Sequence, residues 1–169
     1  MTLAKASEVD FHFPLIGWFD DGVRTFPDRE YLLKCRPALY ENDELIGMEL
    51  VDNSLRRWAV RSVDLCSPLP KKRWYHNRLL FFVFLPITFF LEVAYNTMIE
   101  IDPRLEELAP LDLEEVKAQV IREKGPIWAD FDPVGSPEYD AELAKVRDAP
   151  DVAALVDLLE EDWPPGFLE

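Results

Sequence analysis

Glycine, cysteine and histidine are scarce in this chain. With 6 glycines in 169 residues, it contains no GxGxxG, P-loop or nucleophile-elbow pattern, and no HExxH. Phosphate cradles, hydrolase serine turns and helix-borne zinc sites that depend on those patterns are therefore not expected. Two cysteines, Cys35 and Cys66, make no disulfide framework. Both fall in or beside expected strands and read as buried small apolar side chains. His12 and His76 are the only imidazoles, and neither stands at ligand spacing from a cysteine, so no metal is expected. Nor does any local signature around either cysteine point to a Cys-His or Ser-His-Asp centre. Residues 1–10 carry no apolar run after the basic residue. No signal peptide is expected there, and the chain reads as cytoplasmic.

What the chain has is acid, unevenly placed. Its net charge is −15, from 18 Lys+Arg against 33 Asp+Glu. Residues 1–78 hold 12 of each sign, whereas residues 79–169 hold 6 basic and 21 acidic residues. The whole excess lies in the second part. Such a surface repels nucleic-acid phosphate, so nucleic acid is not an expected partner, and it attracts basic proteins. An apolar content of 49% is enough for a core.

The greasiest stretch is Leu79–Ile101. Its apolar part, Leu79–Tyr95, counts 17 residues and includes Pro86, Thr88 and Glu92, short of the roughly 20 apolar residues of a membrane span and with a carboxylate near the lipid boundary. From Ile87 onward its residues alternate in polarity, which predicts a buried strand, with Pro86 as a break. Before it, Lys71–Arg78 interleaves basic and aromatic side chains. Such a loop suits a solvated surface, a nucleic-acid patch or an interfacial anchor.

Three short strands are expected earlier: Tyr31–Arg36, Leu45–Val51 and Leu55–Val63, with Gly47 permitting a bulge or close packing. Asp20-Asp21-Gly22 reads as a turn. Short connections make the strands an antiparallel meander. After Asp102-Pro103 the period becomes helical. Asp112 caps a helix with Glu115 three residues on, and Lys124-Gly125-Pro126 stops it. Trp128–Pro137 reads as an acidic linker, in which Trp128 and Phe131 either pin the chain or form an exposed aromatic patch. Ser136-Pro137 opens a second helix with Tyr139, Leu143 and Val146 inward. A third carries Val152, Leu155, Val156 and Leu159 on one face.

The expected fold is α+β, a single domain: an antiparallel sheet from residues 1–101, followed by and packed against two to three helices from an acidic region, 102–169. No cofactor is expected. The expected role is non-catalytic, and the general character is that of small immunity or inhibitor proteins of bacteria, although no motif identifies such a family. An acidic face of Asp102, Glu106, Glu107, Glu114, Glu115, Asp130 and Asp132, with Trp128 and Phe131, would mask a basic cleft in a toxin or enzyme. The rival is a membrane-associated accessory protein held by Leu79–Leu91 and the Lys71–Arg78 loop. A third reading is an enzyme assembled around Asp20, Asp52 and His76.

Overall fold

The computed structural model describes residues 3–19, 22–69 and 98–161. Most of the Leu79–Ile101 run, all of the Lys71–Arg78 loop, Asp20, Asp21 and His76 lie outside the described residues. The elements are β1 Ala4–Lys5, β2 Leu15–Phe19, β3 Gly22–Phe26, a short helix α1 Arg29–Leu32, β4 Lys34–Cys35, α2 Pro37–Glu41, β5 Glu49–Asp52, β6 Arg57–Leu65 and β7 Ile99–Leu108. The helices α3 Leu113–Phe131, α4 Pro137–Asp148 and α5 Val152–Glu161 follow. The fold is α+β. Its antiparallel sheet of seven strands runs β1-β7-β6-β5-β2-β3, and β4 also pairs with β7.

Alternation along β2 sorts the sheet into two faces. Leu15 joins Phe26, Leu50, Trp58, Val60 and Leu105 in one buried cluster. Ile16 and Trp18 point the other way, with Val51, into a cluster completed by Val116, Val120, Leu155 and Val156 of the helices. The helices therefore cover β2, β3 and β5, while the α1–β4–α2 segment packs on the opposite face. Gly17 is required here by packing. A Cβ on it would stand 2.7 Å from the Phe26 ring, 3.1 Å from Met48 Sδ and 3.2 Å from Leu50 Cδ2. Gly17→Ala is expected to cost about 2 kcal/mol through overpacking. Urea denaturation checks this, and unchanged stability would contradict the close approach. Gly47 differs. It sits before β5 at φ +90° with open space where a Cβ would be, so it serves conformation rather than close packing.

Several boundaries depart from the pattern of the sequence. Tyr31–Arg36 is not a strand. Asp28 caps α1 by accepting from the Tyr31 N–H at 2.8 Å, and Pro37 opens α2, leaving only Lys34–Cys35 extended. A capping aspartate outweighed a short alternation. The other two strands begin later than expected, at Glu49 and Arg57. The chain after Asp102-Pro103 is not helical: β7 continues through Pro103 to Leu108 and crosses the division drawn at residues 101 and 102. In an antiparallel ladder the N–H and C=O of one residue face the same neighbour. The Pro103 carbonyl accepts from Ala6 N on the β1 side, so its missing N–H removes nothing from the ladder with β6.

The helix starts follow the sequence. Asp112 and Glu115 form a reciprocal capping box, at 2.8 and 2.9 Å. Ser136 caps α4 through Tyr139 N at 3.1 Å. The expected stop at Lys124-Gly125-Pro126 fails, since α3 runs on to Phe131. Pro126 forfeits one helical bond, at a cost of about 3 kcal/mol. Packing of Trp128 and Ile121 into the helix-side cluster offsets it. Residues 128–131, expected as linker, are thus the last turn of a helix.

Candidate interaction surface

The carboxylates grouped as one acidic face divide into three sets. The first is consumed within the sheet. Asp102 is 6% exposed and accepts from Ser7 N at 3.0 Å and Ser7 Oγ at 2.7 Å, with Lys5 Nζ at 3.9 Å. Glu106 meets Arg61. Arg61 lies at an irregularity in β6 between Val60 and Ser62, two residues from Ala59, the register partner of Glu106. Arg104–Asp64, at 2.7 Å, and Arg57–Glu49, at 2.5 Å, continue a row of cross-strand pairs. These charges cancel pairwise. Glu107, in contrast, is exposed.

The second set is at the start of α3. Glu114 is exposed and holds Lys117 Nζ at 2.9 Å, and that buried ammonium also donates to the Arg147 carbonyl at 2.7 Å. Glu115 is bound in the capping box. These residues tie α3 to α4 and favour the helix start.

The third set is at the other end of α3, about 24 Å away at 1.5 Å per residue. Trp128 is half-buried against the helix-side cluster. Asp130 is exposed, and Asp132 is the C-cap. Between them Phe131 is 81% exposed, with Ile127 at 44% and Val134 at 74%. Of the two aromatics, Trp128 pins the chain and Phe131 does not. Ile127 and Phe131 stand four residues apart on one outward stripe, which becomes visible only once the helix is known to pass Pro126. The last turn of α3 contains no basic residue. Its free carbonyls therefore add the negative end of the helix dipole to Asp130 and Asp132. The result is an apolar knob in a negative setting.

Of the residues in the enzyme reading, Asp52 alone is described, and it serves the fold. Asp52 is fully buried. It accepts from His12 N, from Ser54 N and Oγ, and from Arg56 N, Nε and Nη2, at 2.7–3.2 Å. Burial pushes its pKa up, but hydrogen bonds from Ser54, His12 and Arg56 outweigh that and hold it below the ordinary value. A carboxylate so occupied has no lone pair left for a substrate. Cys35 is buried, and burial raises its thiol pKa to about 11. Cys66 is exposed, contrary to its expected burial. Its alternating neighbours lie on β6, which ends at Leu65. Among the described residues, no helix is long and apolar enough to cross a membrane. No protein-family model, curated protein or solved structure matches the chain.

Proposed function

We propose that this chain is a non-catalytic binding protein of the immunity or inhibitor kind, which docks the C-terminal end of α3 on a basic cleft of another protein. The observation that carries the reading is Phe131, 81% exposed between two aspartates at the end of a helix whose last turn contains no basic residue. An exposed aromatic is the side-chain type that anchors interfaces when a partner pocket desolvates it. The surrounding negative potential steers a basic partner and disfavours acidic ones. Asp102 and Glu106, consumed in the sheet, support the scaffold and not the contact.

The test is affinity capture with the wild-type chain and with Phe131→Ala, followed by titration of the purified partner. Phe131→Ala is expected to leave stability within about 0.5 kcal/mol. It should weaken binding by about 2 kcal/mol, roughly 30-fold. Asp130→Asn with Asp132→Asn should reduce the association rate and flatten its salt dependence. A partner of acidic surface, or one that binds Phe131→Ala as well as wild type, would overturn the reading.

A further inference from the structure

A cavity of about 370 Å³ opens where β1 and β4 separate along one edge of β7. Ala6 N donates to the Pro103 carbonyl at 2.8 Å on the β1 side, and Ile101 N donates to the Leu33 carbonyl at 2.9 Å on the β4 side. Asp102 stands between those two bonds. Each of the two strands is 2 residues long and covers only about 7 Å of the edge, so a gap remains between them. Ser7, just past β1, and Leu33 and Lys34, where β4 begins, wall the gap together with Ile101 and Asp102. Its volume falls within the range of small-molecule sites, about 300–1,000 Å³.

Asp102 is the polar centre of this gap. It is buried, and among the described residues it accepts from Ser7 alone, from N at 3.0 Å and Oγ at 2.7 Å. Lys5 Nζ, at 3.9 Å, is beyond hydrogen-bond reach. The two oxygens of a carboxylate offer about four acceptor positions. Asp52, the other buried carboxylate among the described residues, has His12, Ser54 and Arg56 all donating to it. Asp102 joins β1 to β7 and still keeps acceptor capacity that nothing described fills. A buried charge left short of donors is costly, and a donor entering the cavity removes that cost. The neighbouring charges set the sign of the donor. Glu30, Glu100 and Asp102 line the cavity against Lys34, and Lys34 is held by Glu30. A cation is attracted there and an anion repelled. Leu33 and Ile101 add an apolar wall, which suits a short hydrocarbon stem behind the charge.

We propose that the gap between β1 and β4 binds a primary ammonium group on a short apolar stem, with Asp102 accepting from the ammonium. A free alkylamine and a lysine side chain share that chemistry. The site contains no residue of α3 and does not depend on the proposed docking by Phe131.

The experiment follows the Ser7 and Ile101 amide signals of the ¹⁵N-labelled full chain, with sodium chloride holding the ionic strength constant. Butylammonium, Nα-acetyl-lysine methylamide, tetramethylammonium and n-butanol are titrated separately. Saturable shifts are expected with the first two. Tighter saturation by butylammonium assigns a free amine, and tighter saturation by the lysine derivative assigns a lysine side chain. Tetramethylammonium carries the charge without an N–H, and n-butanol carries the stem without the charge, so neither should saturate in the same range. Asp102→Asn keeps an acceptor for Ser7 and loses the charge. It should weaken binding of the tighter ammonium probe at least about tenfold. Asp148→Asn, the same change of charge at the exposed end of α4, should leave it unchanged. If Asp102→Asn does not fold, Glu100→Gln, at an exposed position, should weaken binding about threefold. Shifts that stay linear with both ammonium probes, saturation by tetramethylammonium or n-butanol in the same range, or an affinity unchanged in the variant at the cavity overturns the proposal.

Discussion

Asp52→Ala is expected to destabilise the fold by about 3 kcal/mol, because several donors lose one shared acceptor at roughly 1 kcal/mol or more each. The size follows from what this one carboxylate joins. It closes the β5–β6 turn through Ser54 and Arg56, and it fixes the incoming chain through His12 N. Arg56, held by it, stacks over the Trp58 ring at 5.1 Å and donates to the Asp10 carbonyl. Next to it, Asn53 donates to the His12 carbonyl at 2.8 Å and accepts from Ala153 N at the start of α5. Truncation leaves the Ser54, His12 and Arg56 donors without their shared acceptor, and Arg56 without its counter-charge. With a slope of about 1–3 kcal/mol per molar urea, the midpoint should fall by more than about 1 M. Asp52→Asn keeps the shape and removes the charge, so it should lose less.

The same residue sets an acid limb. Its folded pKa is depressed, so its stabilisation is fully present above the unfolded value near 4 and is lost as pH falls through the folded pKa. Wild type should therefore approach Asp52→Asn in stability as pH drops below about 4. Parallel curves across that window would contradict the assignment.

Leu155→Ala is expected to cost about 3–4 kcal/mol, within the range for emptying a core leucine site. Leu155 is fully buried where α5 meets β2, in one cluster with Ile16, Val51, Val116 and Val120. Its loss opens a cavity between the sheet and two helices, which cannot all collapse together. The melting temperature should fall by roughly 6–12 °C. Leu155→Met, close in volume, should cost less than about 1.5 kcal/mol. If both variants melt alike, α5 is not packed as described.

Local rules carried the helix starts. Asp112 with Glu115, and Ser136 with Pro137, are self-contained signals acting over three residues. The stripe Val152, Leu155, Val156 and Leu159 was equally readable, because all four residues are buried. Long-range contacts decided the rest. Pro126 stops no helix because Trp128 beyond it is anchored, and Pro103 stops no strand because its carbonyl faces β1. The two-residue strands β1 and β4 exist only as partners along the edge of β7, and no period can announce them. The proposed docking surface was half legible. Asp130, Phe131 and Asp132 stand together as the sequence grouped them, but Asp102 and Glu106 serve neighbouring strands. Acidity alone does not distinguish a free carboxylate from one already paired.

The most direct measurement places a photoreactive benzoylphenylalanine at position 131 of the intact chain and irradiates the living host. The expected product is an adduct with a protein of basic surface, whose purified form binds the unmodified chain less tightly as salt rises. An adduct only with proteins of acidic or neutral surface, binding indifferent to salt, or no adduct where capture of a partner still succeeds would contradict the role given to this end of α3.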